Sequence, residues 1–387
     1  MMLRQSGTPW YPTMSLLGGP TVRRWRTIDL AQSLFYGLYN DNARTSTGAK
    51  NSDNVSSISQ GTDDIEPHHI QNKPIKILLL GAGGSGKSTF LKQLQVLKDE
   101  PFTSNDIETF RQLIFNNLIG GIGDLSSIVK ENNIKVSNEV RWHFETIQDS
   151  GIIDLGDGEP FPIFLREHFK GLWEDPSMQQ AWKYGKNTAL SENLPYFFSS
   201  IDRLFERSYV PNEQDIMRYN VRTTGISETM FNIRGYPAAV VDVGGQRSER
   251  RKWIFCLENV TCVVFSVNLN GYDQHLFEDN NTNEMEEALR LWELIIGGGW
   301  FSDTLIILLL NKFDLFKKKV QTSDIRAFFP DFRGPTRDAH AGYEYFERRF
   351  AKIALKGGRV DEKAVHIFAT SATDTNRVRG LMPALEE

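Results

Sequence analysis

An apolar run of strand length, Ile75-Lys-Ile-Leu-Leu-Leu80, ends in Gly81-Ala82-Gly83-Gly84-Ser85-Gly86-Lys87-Ser88-Thr89, and no other stretch limits the fold of this chain so tightly. Phe90, Leu91, Leu94 and Leu97 then recur at helical spacing. Strand, G-x-x-x-x-G-K-S and helix in that order form the setting in which a glycine-rich loop cradles phosphate. Glycine lets successive N–H groups turn inward around an anion, and the helix N-terminus adds its positive end. Lys87 is then expected to reach the outer phosphates and Ser88 to hold a magnesium ion. An ordinary glycine-rich turn is the competing reading while the pattern stands alone.

Three further motifs remove that competitor. Asp242-Val-Gly-Gly245-Gln246 follows the apolar run Ala238-Ala-Val-Val241, Asn311-Lys312-Phe313-Asp314 follows Leu305-Ile-Ile-Leu-Leu-Leu310, and Thr370-Ser371-Ala372-Thr373 follows Val365-His-Ile-Phe-Ala369. Each falls at the carboxyl end of an expected parallel strand, where open α/β sheets bind ligands. Their chemistry names a base. The Asp314 carboxylate can accept from both N1–H and the exocyclic amine of guanine, whereas adenine offers an acceptor at N1 and no 2-amino group. A site built on specific hydrogen bonds rejects the wrong partner because its polar groups are left unpaired. Asn311 is expected to tie the base-binding loops together, the Lys312 stem to cover the ring, and the Ala372 N–H to meet the guanine oxygen. The four loops together read as a GTP site.

At 387 residues and 40% hydrophobic, the chain has material for a sizeable core and two domains. A net charge of −5 with mixed signs argues against nucleic acid as a partner. Cys256 and Cys262 sit in apolar surroundings and read as reduced core residues of an intracellular protein. No apolar run approaches the roughly 18 residues of a membrane span, and residues 1–19 lack the apolar core of a signal peptide.

Residues 1–72 read as a largely disordered extension, with a short amphipathic helix over 28–39, a Ser/Asn/Thr/Gly-rich stretch over 40–60 and a solvated His68-His69 pair. From Ile75 onward, alternating strand and helix patterns predict a doubly wound α/β domain over 73–101 and 211–376. Between them, residues 102–210 carry helical periodicity, as in Ile107, Phe110, Ile114 and Phe115, or Tyr196, Ile201, Leu204 and Phe205, which predicts an inserted all-helical domain. Lys317-Lys318-Lys319 reads as a solvated loop or helix face. Residues 377–387 form an atypical short tail.

With the insertion in place, residues 73–376 resemble the α subunit of heterotrimeric G proteins. Asp242-Val-Gly-Gly-Gln-Arg247-Ser-Glu-Arg250-Arg-Lys-Trp253 matches the second switch of that family, and Asp215-Ile-Met-Arg218-Tyr-Asn220-Val-Arg222-Thr223-Thr-Gly225 matches the first. The resemblance implies a Ras-like P-loop GTPase domain with a mostly parallel sheet, interrupted by the helical domain. It implies GTP or GDP as ligand with Mg2+ on Ser88, Thr223 and Asp242, the last through water. Gly245 would sense the γ-phosphate, and Gln246 would orient the attacking water, the role that the general phosphoryl-transfer scheme gives this glutamine. Residues 269–287 would be a third switch, with Glu287 facing Arg250. A Gβγ dimer and an effector would meet the run from Arg247 to Trp253. A cytoplasmic location is implied, reaching the inner face of the plasma membrane through partners.

Three departures bear on activity. Asn220 stands where the family has the first-switch arginine, whose guanidinium steadies the transferring phosphoryl group and is worth about 10³–10⁵ in rate. Arg218 and Arg222 flank that position. Gly84 replaces the family's usual phosphate-loop glutamate, the partner of that arginine, so the two changes form one altered clasp. Both ends differ as well: Met-Met-Leu replaces the lipidated Met-Gly start, and Gly380 and Pro383 are expected to interrupt the terminal helix, which puts receptor coupling in doubt and leaves a sheet face short of cover. A slow GTPase switch is the first expectation. A GTP-gated binding module that does not hydrolyse, and a truncated splice form, are the alternatives.

Overall fold

The apolar runs at 75–80, 238–243, 262–268, 305–310 and 365–369 all lie in strands. The structure, a computed structural model, describes residues 74–98, 102–150, 155–185, 192–276, 278–302, 304–359 and 365–386. Expectations for residues 1–72 therefore lie outside the described residues. Eight strands follow in chain order: β1 (Ile75–Leu80), β2 (Ile226–Ile233), β3 (Tyr236–Val243), β4 (Cys262–Asn268), β5 (His275–Leu276), β6 (Asp279–Asn283), β7 (Leu305–Asn311) and β8 (Val365–Ala369). Six of them make one sheet in the order β2-β3-β1-β4-β7-β8, while β5 and β6 form a separate ribbon. Within the large sheet every neighbouring pair is parallel except β2 and β3. Those two are joined by Arg234 and Gly235, both at positive φ (51° and 86°), the backbone a two-residue hairpin turn demands.

Register sets the functional edge. Leu79 lies opposite Asp242, Leu80 opposite Phe265, Asn268 opposite Asn311, and Leu310 opposite Ala369. The loops after β1, β3, β7 and β8 consequently leave one end of the sheet together, where doubly wound folds place ligands.

The helices are α1 (Lys87–Leu97), α2 (Ser104–Glu131), α3 (Asn138–Asp149), α4 (Phe164–Glu174), α5 (Pro176–Gly185), α6 (Leu194–Ser199), α7 (Ile201–Leu204), α8 (Glu213–Arg218), α9 (Arg247–Arg250), α10 (Glu284–Gly297), α11 (Phe313–Lys319), α12 (Ala339–Lys356), α13 (Thr375–Arg379) and α14 (Met382–Glu386). The pleat of β1 divides the core between two helical layers. Leu78 and Leu80 join a cluster with Trp292 of α10 and Phe346 and Phe350 of α12. Ile77 and Leu79 join another with Phe90 and Leu94 of α1.

Among the described residues from 102 to 210 there is no strand, and the helices there enclose a third core around Ile114, Phe115, Leu165, Phe169, Leu204 and Phe205. A capping box starts α2, with Thr103 accepting from the Asp106 N–H and Asp106 accepting in return from that of Thr103. Among the described residues no helix is long and apolar enough to cross a membrane.

Three expectations are corrected here. Gly380 does end α13, but Pro383 interrupts no helix: it sits in the first turn of α14, where its missing N–H is not needed. Nor is the adjoining sheet face left bare, because Val378 and Leu381 are buried against the β1–α1 layer. In the Lys317-Lys318-Lys319 run, which ends α11, only the first two side chains are solvated. Lys319 turns inward and pairs with the buried Asp273 at 2.7 Å.

Candidate functional site

The phosphate loop bends because Gly81, Gly84 and Gly86 take positive φ values of 137°, 74° and 94°. Two of these glycines are also sterically required. A Cβ on Gly81 would run into the Ser266 carbonyl, and one on Gly86 would collide with the Asn311 amide nitrogen. Gly86→Ala is therefore expected to abolish guanine-nucleotide binding, since it strains the backbone and displaces Asn311 at once. Equilibrium titration with a fluorescent GDP checks it, and retained affinity would mean the loop tolerates a shift. Ala82 and Ser85 are buried, Gly83 and Thr89 half-buried, and Gly84 is exposed at the loop tip.

Lys87 opens α1 and folds back under this loop. Its ammonium donates to Gly81 O at 3.0 Å and Ala82 O at 2.9 Å. Burial lowers its pKa to about 8, while Asp242 pulls the other way. Gly245, arriving from β3, is packed so closely that a Cβ there would lie 2.5 Å from both Lys87 Nζ and Gly81 O. Gln246 follows beside Gly83, with its Cγ 3.1 Å from where a Gly83 Cβ would stand.

One residue along α1, Ser88 Oγ lies 2.7 Å from Thr223 Oγ1 and donates to Asp242 Oδ2 at 2.5 Å. Three oxygens from three separate segments thus converge. Asp242 Oδ1 is buried without a hydrogen-bond partner. Burial raises the Asp242 pKa, against the opposing pull of Lys87 and Ser88. A buried carboxylate oxygen left unpaired beside two hydroxyls is the donor set of a hard divalent cation such as Mg2+, which takes few protein ligands and keeps others for water and phosphate. The residues present fit the ion.

The base side is held by Asn311. Its Nδ2 donates to Ser85 O at 2.8 Å, and its Oδ1 accepts from the Ala372 N–H at 2.9 Å. Asn311 thereby joins the phosphate loop to the loop after β8. The Ala372 N–H, expected at the guanine oxygen, serves this link in the structure, since a buried amide side chain takes the nearest donor to satisfy itself. Lys312 sits at φ 60°, a strained value for a non-glycine, as functional loops often hold. Its ammonium pairs with Glu192 Oε2 at 2.6 Å, and Glu192 Oε1 accepts from Asn270 at 2.6 Å. Burial would lower the Lys312 pKa, but Glu192, Glu284 and Asp314 carry it above the usual value. Asp314 lies at the wall of a cleft of about 400 Å³, shared with Ser371, Thr373, Gln214 and Arg218.

The first switch is rooted at Asp215, which is fully buried and accepts from Arg203 at 2.7 and 2.8 Å and from the Tyr196 hydroxyl at 2.8 Å. Arg218 stacks over Tyr196, its guanidinium carbon 4.7 Å from the ring centroid. Asn220 is exposed, and its N–H donates to Asn117 Oδ1 at 2.8 Å. Arg222 is exposed and faces Asp124 of α2, whose pKa it opposes while burial raises it.

In the second switch, Arg250 donates to Gly245 O at 3.0 Å and pairs with Glu287 at 2.5 Å, and Arg247 reaches the same carboxylate at 3.2 Å and Asp279 at 3.0 Å. Trp253, the end of the run expected to meet partners, is instead fully buried and donates to Gly244 O at 2.8 Å. An indole of that size gains more inside, with its N–H satisfied, than in water. Phe255, 78% exposed, is the aromatic that faces solvent there.

Glu192, Asn117 and Lys92 were not singled out from the sequence. The first two come from the helical insertion, and nothing in the local pattern tells which of its polar residues folds back onto the site. Lys92 does carry a signal, since it lies one helical turn after Ser88.

A protein-family model described as G-protein alpha subunit matches residues 53–387. The chain is 39% identical over 325 residues to the guanine nucleotide-binding protein alpha-2 subunit of Mycosarcoma maydis, covering 82% of this chain and 87% of that one. It is 41% identical over 317 residues to the alpha-2 subunit of Neurospora crassa, covering 82% and 88%. With the guanine nucleotide-binding protein subunit alpha of Cochliobolus heterostrophus the identity is 38% over 321 residues, with the same two shares.

Proposed function

This chain belongs to the G-protein α-subunit family, and we propose that it is a guanine-nucleotide switch whose hydrolytic step is slow. As a member of that family it binds GTP and GDP, hydrolyses GTP and acts in signal transduction. In this reading the GTPase domain comprises residues 73–101 and 211–376 and the helical domain 102–210, and residues 377–387 are a short tail whose Val378 and Leu381 pack on the GTPase core. Residues 81–89 wrap the phosphates, Asn311, Lys312, Asp314 and Ala372 form the base pocket, and Arg218 closes the cleft between them. Ser88, Thr223 and, through water, Asp242 would hold Mg2+, which when bound would neutralise phosphate charge.

The observation that supports the reading most is the convergence of Ser88 Oγ, Thr223 Oγ1 and Asp242 Oδ2 next to Lys87. Gln246 orients the attacking water from beside Gly83, and Lys87 draws charge from the outer phosphate. A Gβγ dimer or effector meets the second switch through the exposed Ser248, Arg251 and Phe255, which brings the protein to the cytoplasmic membrane face.

Binding of a non-hydrolysable GTP analogue and phosphate release, measured on one sample, test the whole. Tight magnesium-dependent binding with slow release is the expected result. Gln246→Leu should lower release by a further ~10-fold or more with little change in analogue affinity. A second reading, a GTP-gated binding module, is favoured by Asn220, and binding with no release over hours would select it.

A further inference from the structure

Lys92 and Ser88 share a face of α1, being one turn apart. Ser88 meets the far end of the first switch at Thr223. Lys92 meets its near end. Only 8% exposed, its ammonium donates to Ile216 O at 2.8 Å and to Tyr219 O at 3.5 Å, and stands 3.4 Å from the Tyr219 ring centroid. Ile216 lies in the C-terminal turn of α8, where the last acceptors lack intrahelical donors, and Tyr219 is the extended residue that caps it. A cation in that place satisfies them and complements the negative end of the helix. The Tyr219 ring also packs on Phe110 of α2, with centroids 5.2 Å apart.

We propose that Lys92 is a positioning residue for hydrolysis, gripping the root of the first switch so that Thr223 and position 220 are placed before the metal is engaged. This inference rests on the GTPase reading above. The partners of Lys92 are main-chain carbonyls and one ring face, so it recognises the path of the segment rather than its polar side chains. Moving the segment away costs the ammonium both carbonyls and the ring face at once. In a family whose first switch is also fastened by an arginine over the nucleotide, such a grip is one of two. With Asn220 in that place, the α1 grip and the Asn117 contact carry the placement.

The test uses the full chain with Lys92→Met, which keeps an apolar stem and removes the charge. GDP affinity is expected to stay close to the unaltered protein, because the phosphate loop and base pocket are untouched. Trypsin cleavage after Arg218 and Arg222 in the magnesium-free GDP form should accelerate ~10-fold, since the segment opens more often. The magnesium concentration needed to retain a GTP analogue should rise ~10-fold, and single-turnover hydrolysis should fall ~10–100-fold, as expected for a displaced catalytic segment. Tyr219→Phe keeps the ring and should behave as the parent, whereas Tyr219→Ala should move cleavage and magnesium dependence in the direction of Lys92→Met. If Lys92→Met does not fold, Tyr219→Ala decides through the same two assays. Unchanged cleavage and unchanged magnesium dependence in a folded variant overturn the proposal. Failure of the unaltered chain to prefer guanine over adenine nucleotides would instead remove the GTPase reading, and the metal-free cleavage rates would still report on the grip.

Discussion

Asn220→Arg is expected to raise single-turnover GTP hydrolysis by ~10³-fold, the lower end of the gain credited to an arginine at a transferring phosphoryl group. The phosphoryl group spreads negative charge over its equatorial oxygens as it moves, and a neutral amide offers little against that charge. Neither flanking arginine is a ready replacement. Arg218 stacks on Tyr196 at the base-side cleft, and Arg222 is drawn toward Asp124 of α2. The backbone at position 220 is already fixed by Asn117, so a new guanidinium starts from a held Cα. The gain stays below the upper end because Gly84 gives the new arginine no carboxylate to fix its resting pose. Rapid-quench measurement on preloaded protein reads the change, and equal rates for parent and variant would show that another group already serves the arginine's role.

Asp314→Ala should weaken GTP binding by ~10³-fold or more and erase the preference for guanine over adenine. Asp314 is positioned by its own N–H, which donates to Ser371 Oγ at 3.2 Å, and by its place on the first turn of α11. Its carboxylate lies at the wall of the cleft that Arg218 and Ser371 also line. Removing it leaves the N1 and 2-amino donors of guanine without their protein acceptor, and a donor that loses its partner on binding is costly. Competition between GTP and ATP for a fluorescent GDP gives the ratio directly. Thermal unfolding with and without GDP provides the control, since a ligand bound only to the folded state must raise the midpoint. A variant that still discriminates would move base recognition away from this residue.

Sheet and loops were readable because each central strand is buried on both faces and so appears as an unbroken apolar run: Leu305-Ile-Ile-Leu-Leu-Leu310 is the clearest, with Ile306 to Leu310 all buried. The motif at the end of each run inherits its place from strand register. The antiparallel edge was harder. β2 is buried only at Phe231 and Ile233, so Ile226-Ser-Glu-Thr-Met-Phe-Asn-Ile233 gives a weak pattern, and its pairing depends on a turn at Arg234-Gly235.

Long-range polar pairings were not readable at all. Glu192 reaches Lys312 across 120 positions of chain, and no periodicity encodes such a meeting. Trp253 shows the opposite failure. Its position in a charged run suggested exposure, yet the cavity between β3 and the neighbouring layer takes the indole, and the run presents Phe255 in its stead.

Glu249 joins two segments that the sheet alone would leave independent. One carboxylate oxygen accepts from the Gly225 N–H at 2.6 Å and from Lys252 at 2.5 Å, and the Gly244 N–H donates to Gly225 O at 3.2 Å. The start of β2 and the segment carrying Arg251 and Phe255 are therefore stitched at one point. A protein that docks on Phe255 and rotates that segment cannot do so without tugging the peptide two residues past Thr223. If Thr223 holds the metal as proposed, docking and metal affinity are coupled by one factor that acts equally in both directions.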